Sequence, residues 1–145
     1  MKLTIELVPQ TSWYSNVRSN VTSSEWDVLR RGSYKKAGYK CEICSGVGPK
    51  HPVECHEIWE YDDEALTQTL TGLVSLCPSC HQVKHIGLAR IKGNYPKALK
   101  HLSEVNGITE EEAHEYVEEC FKIWKERSKN KYTIDITILN KKEDE

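Results

Sequence analysis

The sequence predicts an α+β protein. Three observations carry that prediction: stretches where apolar and polar residues alternate, stretches where apolar residues recur three and four apart, and two Cys-x-x-Cys pairs set among them. Alternation is the strand period and the three-four spacing the helix period. The chain has 145 residues, enough for one domain. Hydrophobic residues make up 38% and mean hydropathy is −0.62, which suits a soluble domain with a modest core. No stretch approaches the roughly 18 apolar residues of a membrane span. The start, MKLTIELVPQTSW, lacks the apolar run of a secretion signal, so a cytoplasmic location is expected. Six cysteines in that compartment read as thiolates or metal ligands rather than disulfides.

Taken in order, Leu3, Ile5 and Leu7 alternate with Thr4 and Glu6, a short strand ended by Pro9. Trp13–Asn20 shows no period and reads as an ordered loop. Ser23 or Ser24 caps a helix to about Ala37, with Trp26, Leu29, Tyr34 and Ala37 inward and Gly38 as its stop. Val53–Trp59 resembles a strand leading into the acidic loop Tyr61–Glu64, and Gly72–Leu76 a buried strand. Pro78 suits the first turn of a helix. Asn94 and Pro96 open a helix, Pro96–Val105, with Leu99 and Leu102 on one face, and Gly107 breaks it. Thr109 and Glu112 fit a capping box for a helix to about Lys129. Its stripe of Ala113, Tyr116, Val117, Cys120, Phe121 and Trp124 is core rather than a cofactor box. Ile134, Ile136 and Ile138 alternate as a strand expected to pair with the first one, and 141–145 is a charged tail expected to fray. Within the single domain 1–145, residues 39–92 hold almost all the candidate chemistry, and 93–145 form a helical extension ending in a strand.

The net charge of −2 excludes a uniformly basic nucleic-acid coat. The distribution is uneven: residues 1–40 carry +4, 41–100 carry −1 and 101–145 carry −5. The basic excess peaks at Arg30, Arg31, Lys35, Lys36 and Lys40, with no acid between Asp27 and Glu42. Arg30, Arg31, Lys35 and Lys36 are candidates for contacts to a phosphate backbone, with Arg18 a weaker one. The competing reading is a solvated helix face. The acidic helix 109–129 is expected to face away from any duplex.

Cys41-Glu42-Ile43-Cys44 and Cys77-Pro78-Ser79-Cys80 are two C-x-x-C knuckles with 32 residues between them. Each turns back on itself, so four thiolates can surround one zinc ion tetrahedrally, with no open position. A redox dithiol is disfavoured because two pairs occur, and an iron–sulfur site by the compact symmetric spacing. Such a zinc couples metal binding to folding.

His81 and His85 follow the second knuckle at i and i+4, one turn apart on a helix face, a spacing that suits two nitrogens on one divalent ion. A surface histidine pair is the alternative. His56 ends the run Val53-Glu54-Cys55-His56. His51 and His101 are expected at the surface and His114 in a structural role.

At these residues the sequence resembles the HNH endonuclease family, whose unit is the ββα-metal motif. The resemblance covers about Tyr39–Gly87: a first knuckle, a strand ending in histidine, a strand like Leu73–Leu76, then C-x-x-C-H-x-x-x-H. The rest of the chain, Trp13–Asn20 included, more loosely looks like small standalone HNH proteins of bacteria and phages. The resemblance implies a ββα-metal core stapled by a four-cysteine zinc, with added helices and a small terminal strand pair. It implies hydrolysis of phosphodiester bonds in DNA, expected to be double-stranded, with RNA the lesser alternative. It implies one catalytic divalent ion (Mg²⁺, Mn²⁺, Ni²⁺ or Zn²⁺) on His56, His81 and His85. Matching Ile58 to the family's isoleucine makes His56 a metal ligand and Glu57 the general base. Matching the motif's pair to Cys55-His56 makes His56 the base. Gly72 stands where the family commonly has asparagine. A non-catalytic zinc-stapled module binding nucleic acid or protein is the alternative function.

Overall fold

The computed structural model describes residues 1–139; the charged tail expected over 141–145 lies outside them. The architecture is α+β: a three-stranded sheet with helices on both faces. Helix α1 (Val17–Asn20) begins at Asn16 and α2 (Ser23–Lys36) at Thr22. Both starts are reciprocal capping boxes, with Ser19 and Glu25 returning the bond to the cap backbone. The cap of α2 is therefore Thr22, not Ser23 or Ser24. The stretch expected as a loop contains α1, too short to leave a periodic signal. Strands β1 (Glu54–Asp62) and β2 (Thr67–Leu76) form an antiparallel hairpin, with an irregularity between Ile58 and Trp59. Then come α3 (Pro78–Lys84), α4 (Ile86–Ile91), α5 (Tyr95–Asn106), α6 (Glu110–Arg127) and β3 (Thr133–Asp135).

Two expectations about the termini fail. Leu3–Leu7 is not a strand, although Leu3 and Ile5 are buried as the alternation required. Its backbone groups are satisfied by side chains instead of a ladder. Asn106 donates to the Leu3 carbonyl at 2.8 Å and accepts the Leu3 N–H at 2.9 Å, and the Ile5 N–H donates to Tyr116 Oη at 2.9 Å. Extended backbone needs partners, not necessarily strands. The C-terminal strand shrinks to three residues and joins β2 in parallel, Thr67 opposite Thr133, so no terminal strand pair forms. The sheet order β1-β2-β3 leaves β1 at an edge.

Successive strand residues point to opposite faces of the sheet, which separates two cores. Trp59 and Leu70 pack with Val17 of α1, with Trp26 and Leu29 of α2, and with Ile134, Ile136 and Ile138. Leu76 and Val74 pack with Val83 and Ile86, Leu102 of α5 and Val117 of α6. The helical extension thus completes the core on the α3 face. Ala113, Val117 and Cys120 are buried, as the stripe on α6 demanded.

Candidate metal centres

The first knuckle leaves α2 through Gly38 and Tyr39, both with left-handed backbone (φ 65° and 59°). It folds on itself by bonds from the Cys41 N–H to the Gly46 carbonyl and from the Ser45 N–H to the Cys41 carbonyl. Glu42 ties it to the sheet: its N–H donates to the Ser75 carbonyl, and its carboxylate accepts the Ser75 N–H at 2.6 Å. In the second knuckle Cys77 is the N-cap of α3 and accepts the Cys80 N–H, with Pro78 in the first turn.

These folds bring Cys41, Cys44, Cys77 and Cys80 together, one sulfur from each lying within 4.8 Å of all the others. Cys44 and Cys77 sulfurs are 3.6 Å apart. Two sulfurs on one tetrahedral zinc, each about 2.3 Å from it, lie about 3.8 Å apart; a disulfide needs about 2.05 Å. All six cysteines are free thiols. The cluster therefore fits one structural metal. Burial opposes ionisation at Cys41, yet surrounding backbone N–H groups bring its thiol down to about 7. Burial pushes Cys77 up to about 11, and burial with the neighbouring thiols pushes Cys80 higher. A metal ion must displace those protons to bind.

The second cluster sits where β1 meets α3. His56, His81 and His85 each offer a ring nitrogen, all within 4.8 Å of one another. The Nε2 atoms of His81 and His85 are 3.1 Å apart. Two nitrogens about 2.1 Å from one ion, at angles of roughly 90° to 109°, lie about 3.0 to 3.4 Å apart, so the pair fits one ion. The helix expected to carry both rings ends at Lys84. His85 occupies the break before α4 (φ −105°, ψ 47°), yet the i, i+4 approach survives because its N–H still reaches the His81 carbonyl. Burial, reinforced by the neighbouring imidazoles, lowers His56 to about 3 and His85 to about 4. Both rings are neutral at pH 7, the state that ligates metal. His81 Nδ1 lies 3.1 Å from Glu54 Oε1, and His51 Nε2 is 3.2 Å from the other oxygen of that carboxylate. An imidazole bonded to a carboxylate through one nitrogen presents the lone pair of the other. Glu54 was not anticipated, although the strand period places it on the face of His56.

Glu57 belongs to the opposite face. Its Oε2 accepts the Val17 N–H at 3.0 Å and its Oε1 accepts Trp59 Nε1 at 3.1 Å. Burial raises its pKa, but both oxygens serve α1 and the Trp59 core rather than the histidines. The expected role as base facing the metal is corrected on that geometry. Cys55 also faces α2, near Ser33 and Ser75, whose hydroxyls are 2.8 Å apart; burial pushes its thiol up to about 11. The register that paired Cys55 with His56 therefore does not bring both to one site.

His101 overturns another expectation: it is not a free surface residue but lies with Nε2 3.1 Å from Cys80 Sγ. His51 is exposed as expected, and His114 meets Tyr95 Oη at 2.7 Å. Of the basic candidates, Arg31, Lys35 and Lys36 are exposed on α2. Arg30 pairs with Asp27 at 2.9 Å, and exposed Arg18 lies over the Trp26 ring. Arg18 and Arg30 line a groove that reaches His81; Arg31, Lys35 and Lys36 do not. Among the described residues no helix is long and apolar enough to cross a membrane. The chain matches no protein-family model, no curated protein and no solved structure.

Proposed function

We propose that the chain is a metal-dependent endonuclease of HNH type that hydrolyses phosphodiester bonds in DNA. The observation that carries the reading is the convergence of His56, His81 and His85 on one point beside a separate four-thiolate cluster. Hairpin, second knuckle and histidine-bearing helix follow in the order of the ββα-metal unit. A divalent ion held by these histidines would supply charge neutralisation for phosphodiester hydrolysis. His56 and His85 would present neutral nitrogens to it, and Glu54, bonded to Nδ1 of His81, would orient that third ring. Cys41, Cys44, Cys77 and Cys80 would hold a zinc that shapes the site and takes no part in hydrolysis. Arg18 and Arg30 approach the phosphate backbone on the His81 side.

The second reading, a zinc-stapled binding module without turnover, draws on one observation. In the register that matches Ile58, the residue in the family's base position, Glu57, is turned to the opposite sheet face. Incubating the purified chain with supercoiled plasmid and Mg²⁺, Mn²⁺, Ni²⁺ or Zn²⁺ separates the two. Nicked or linear product that disappears in His81→Ala/His85→Ala is expected. No product with any of the four ions leaves the binding module.

A further inference from the structure

A groove of about 560 Å³ runs beside the start of β1, from α2 to His81. Trp26, Tyr34 and Tyr39 contribute aromatic rings to it, and Arg18 and Arg30 contribute guanidinium groups. Glu54, already engaged by His51 and His81, lies at the histidine end. The rings are of different kinds. Trp26 and Tyr34 are half-buried and pack onto the two cores. Tyr39 is 55% exposed, yet its backbone is fixed: φ is 59° and its N–H bonds to the Tyr34 carbonyl at 2.9 Å. Its ring is therefore carried on a fixed backbone position and remains free for contact in the groove. Arg18 lies 5.6 Å from the Trp26 ring centroid, so cation and aromatic face are already paired on the wall.

A duplex offers such a wall phosphates, sugars and base edges, but not base faces, which are stacked on one another. An unpaired strand offers both phosphates and base faces, and aromatic rings interleaved with arginines bind it without regard to sequence. β1 is an edge strand, and Glu54 at its start lines the groove together with His81, the one histidine of the cluster that reaches it. We infer that this groove binds an unpaired stretch of a DNA strand and leads its phosphate toward His56, His81 and His85. The inference rests on the nuclease reading and narrows its substrate to DNA with locally unpaired nucleotides.

The test is fluorescence anisotropy with the full chain and no added divalent ion. The probes are a labelled thymidine oligomer, an abasic oligomer of the same length, a duplex of that length and a uridine RNA oligomer. The thymidine oligomer is expected to bind at least about tenfold more tightly than the abasic one or the duplex, the margin that one stacked base supplies. Tyr39→Ala should remove most of that margin, and Tyr39→Phe should keep it. Tyr39 is exposed, so loss of fold does not confuse the result, and an unchanged melting temperature checks this. Equal affinity for thymidine and abasic oligomers, or an undiminished margin in Tyr39→Ala, overturns the inference. Tighter binding of the uridine oligomer overturns the assignment to DNA. Plasmid cleavage without any base-dependent margin sinks the groove alone. A margin without cleavage under any metal sinks the nuclease reading alone.

Discussion

His101 Nε2 lies 3.1 Å from the sulfur of Cys80, reaching from α5 into the four-cysteine cluster. Cys80 is fully buried, and its thiol is the one that burial and its neighbours push up furthest. A thiolate there needs a donor to offset lost hydration, and an imidazole N–H supplies one. The helical extension is thus joined to the knuckles by chemistry as well as by packing. His101→Ala should weaken zinc retention about 10- to 100-fold, as loss of such supporting bonds typically does. Competition with a chromophoric chelator reads this directly. A release curve that overlays the parent's would show that His101 merely sits beside the sulfur.

Cys77→Ser separates the two jobs of Cys77. Serine is among the best N-caps, so the substitution keeps an acceptor for the Cys80 N–H at the start of α3. What it removes is one metal thiolate. Elemental analysis should show zinc falling well below one equivalent, with a lower melting temperature because metal and fold are linked. Full zinc at the parent melting temperature would mean that three thiolates suffice.

The sequence made the knuckles legible because their chemistry is local: four residues contain each turn and both its sulfurs. The i, i+4 pair His81 and His85 was legible for the same reason, even though α3 breaks at His85. The face of His56 followed from strand alternation, which equally shows that its neighbour Glu57 must point elsewhere. The register that puts Glu57 in the base position follows the family motif and runs against that alternation. His101 was illegible, since it lies 21 positions beyond Cys80 and only the packing of α5 on α3 joins them. The false first strand has a similar cause. Alternation in Leu3, Ile5 and Leu7 reports which side is buried, not what satisfies the backbone, and Asn106 and Tyr116 provide that from afar.

Glu57 and His85 should respond in opposite ways to substitution. Glu57→Gln keeps the volume but sets an amide N–H against one of two donors, the Val17 N–H or Trp59 Nε1. A mismatch of this kind costs about 1–3 kcal/mol when buried. The melting temperature should fall while metal-dependent cleavage stays within a few-fold of the parent. His85→Ala should abolish cleavage without a comparable loss of stability, since His85 sits at the break between α3 and α4 and its side chain supports neither helix. Calorimetry and plasmid nicking on the same preparations decide the matter. Loss of cleavage in a fully folded Glu57→Gln protein would restore the carboxylate to the reaction.

Acid should destabilise the fold through the histidine cluster. His56 and His85 are held at about 3 and about 4 in the folded chain, against 6.5 for an ordinary imidazole. Between those values the unfolded chain binds more protons than the folded one, so stability rises with pH across that window. The contribution is present in full above about pH 6.5. It is lost as pH falls toward 4 and then 3, where the rings must charge against one another and against burial. A bound divalent ion shifts the same balance, since protons and metal compete for the same nitrogens. Thermal melts without added divalent ion should therefore show the melting temperature falling from pH 7 to pH 4. His56→Gln/His85→Gln should flatten the slope over that interval, leaving what the carboxylates and proton competition at the four cysteines contribute. An unchanged slope in the double variant would place the acid sensitivity elsewhere in the fold.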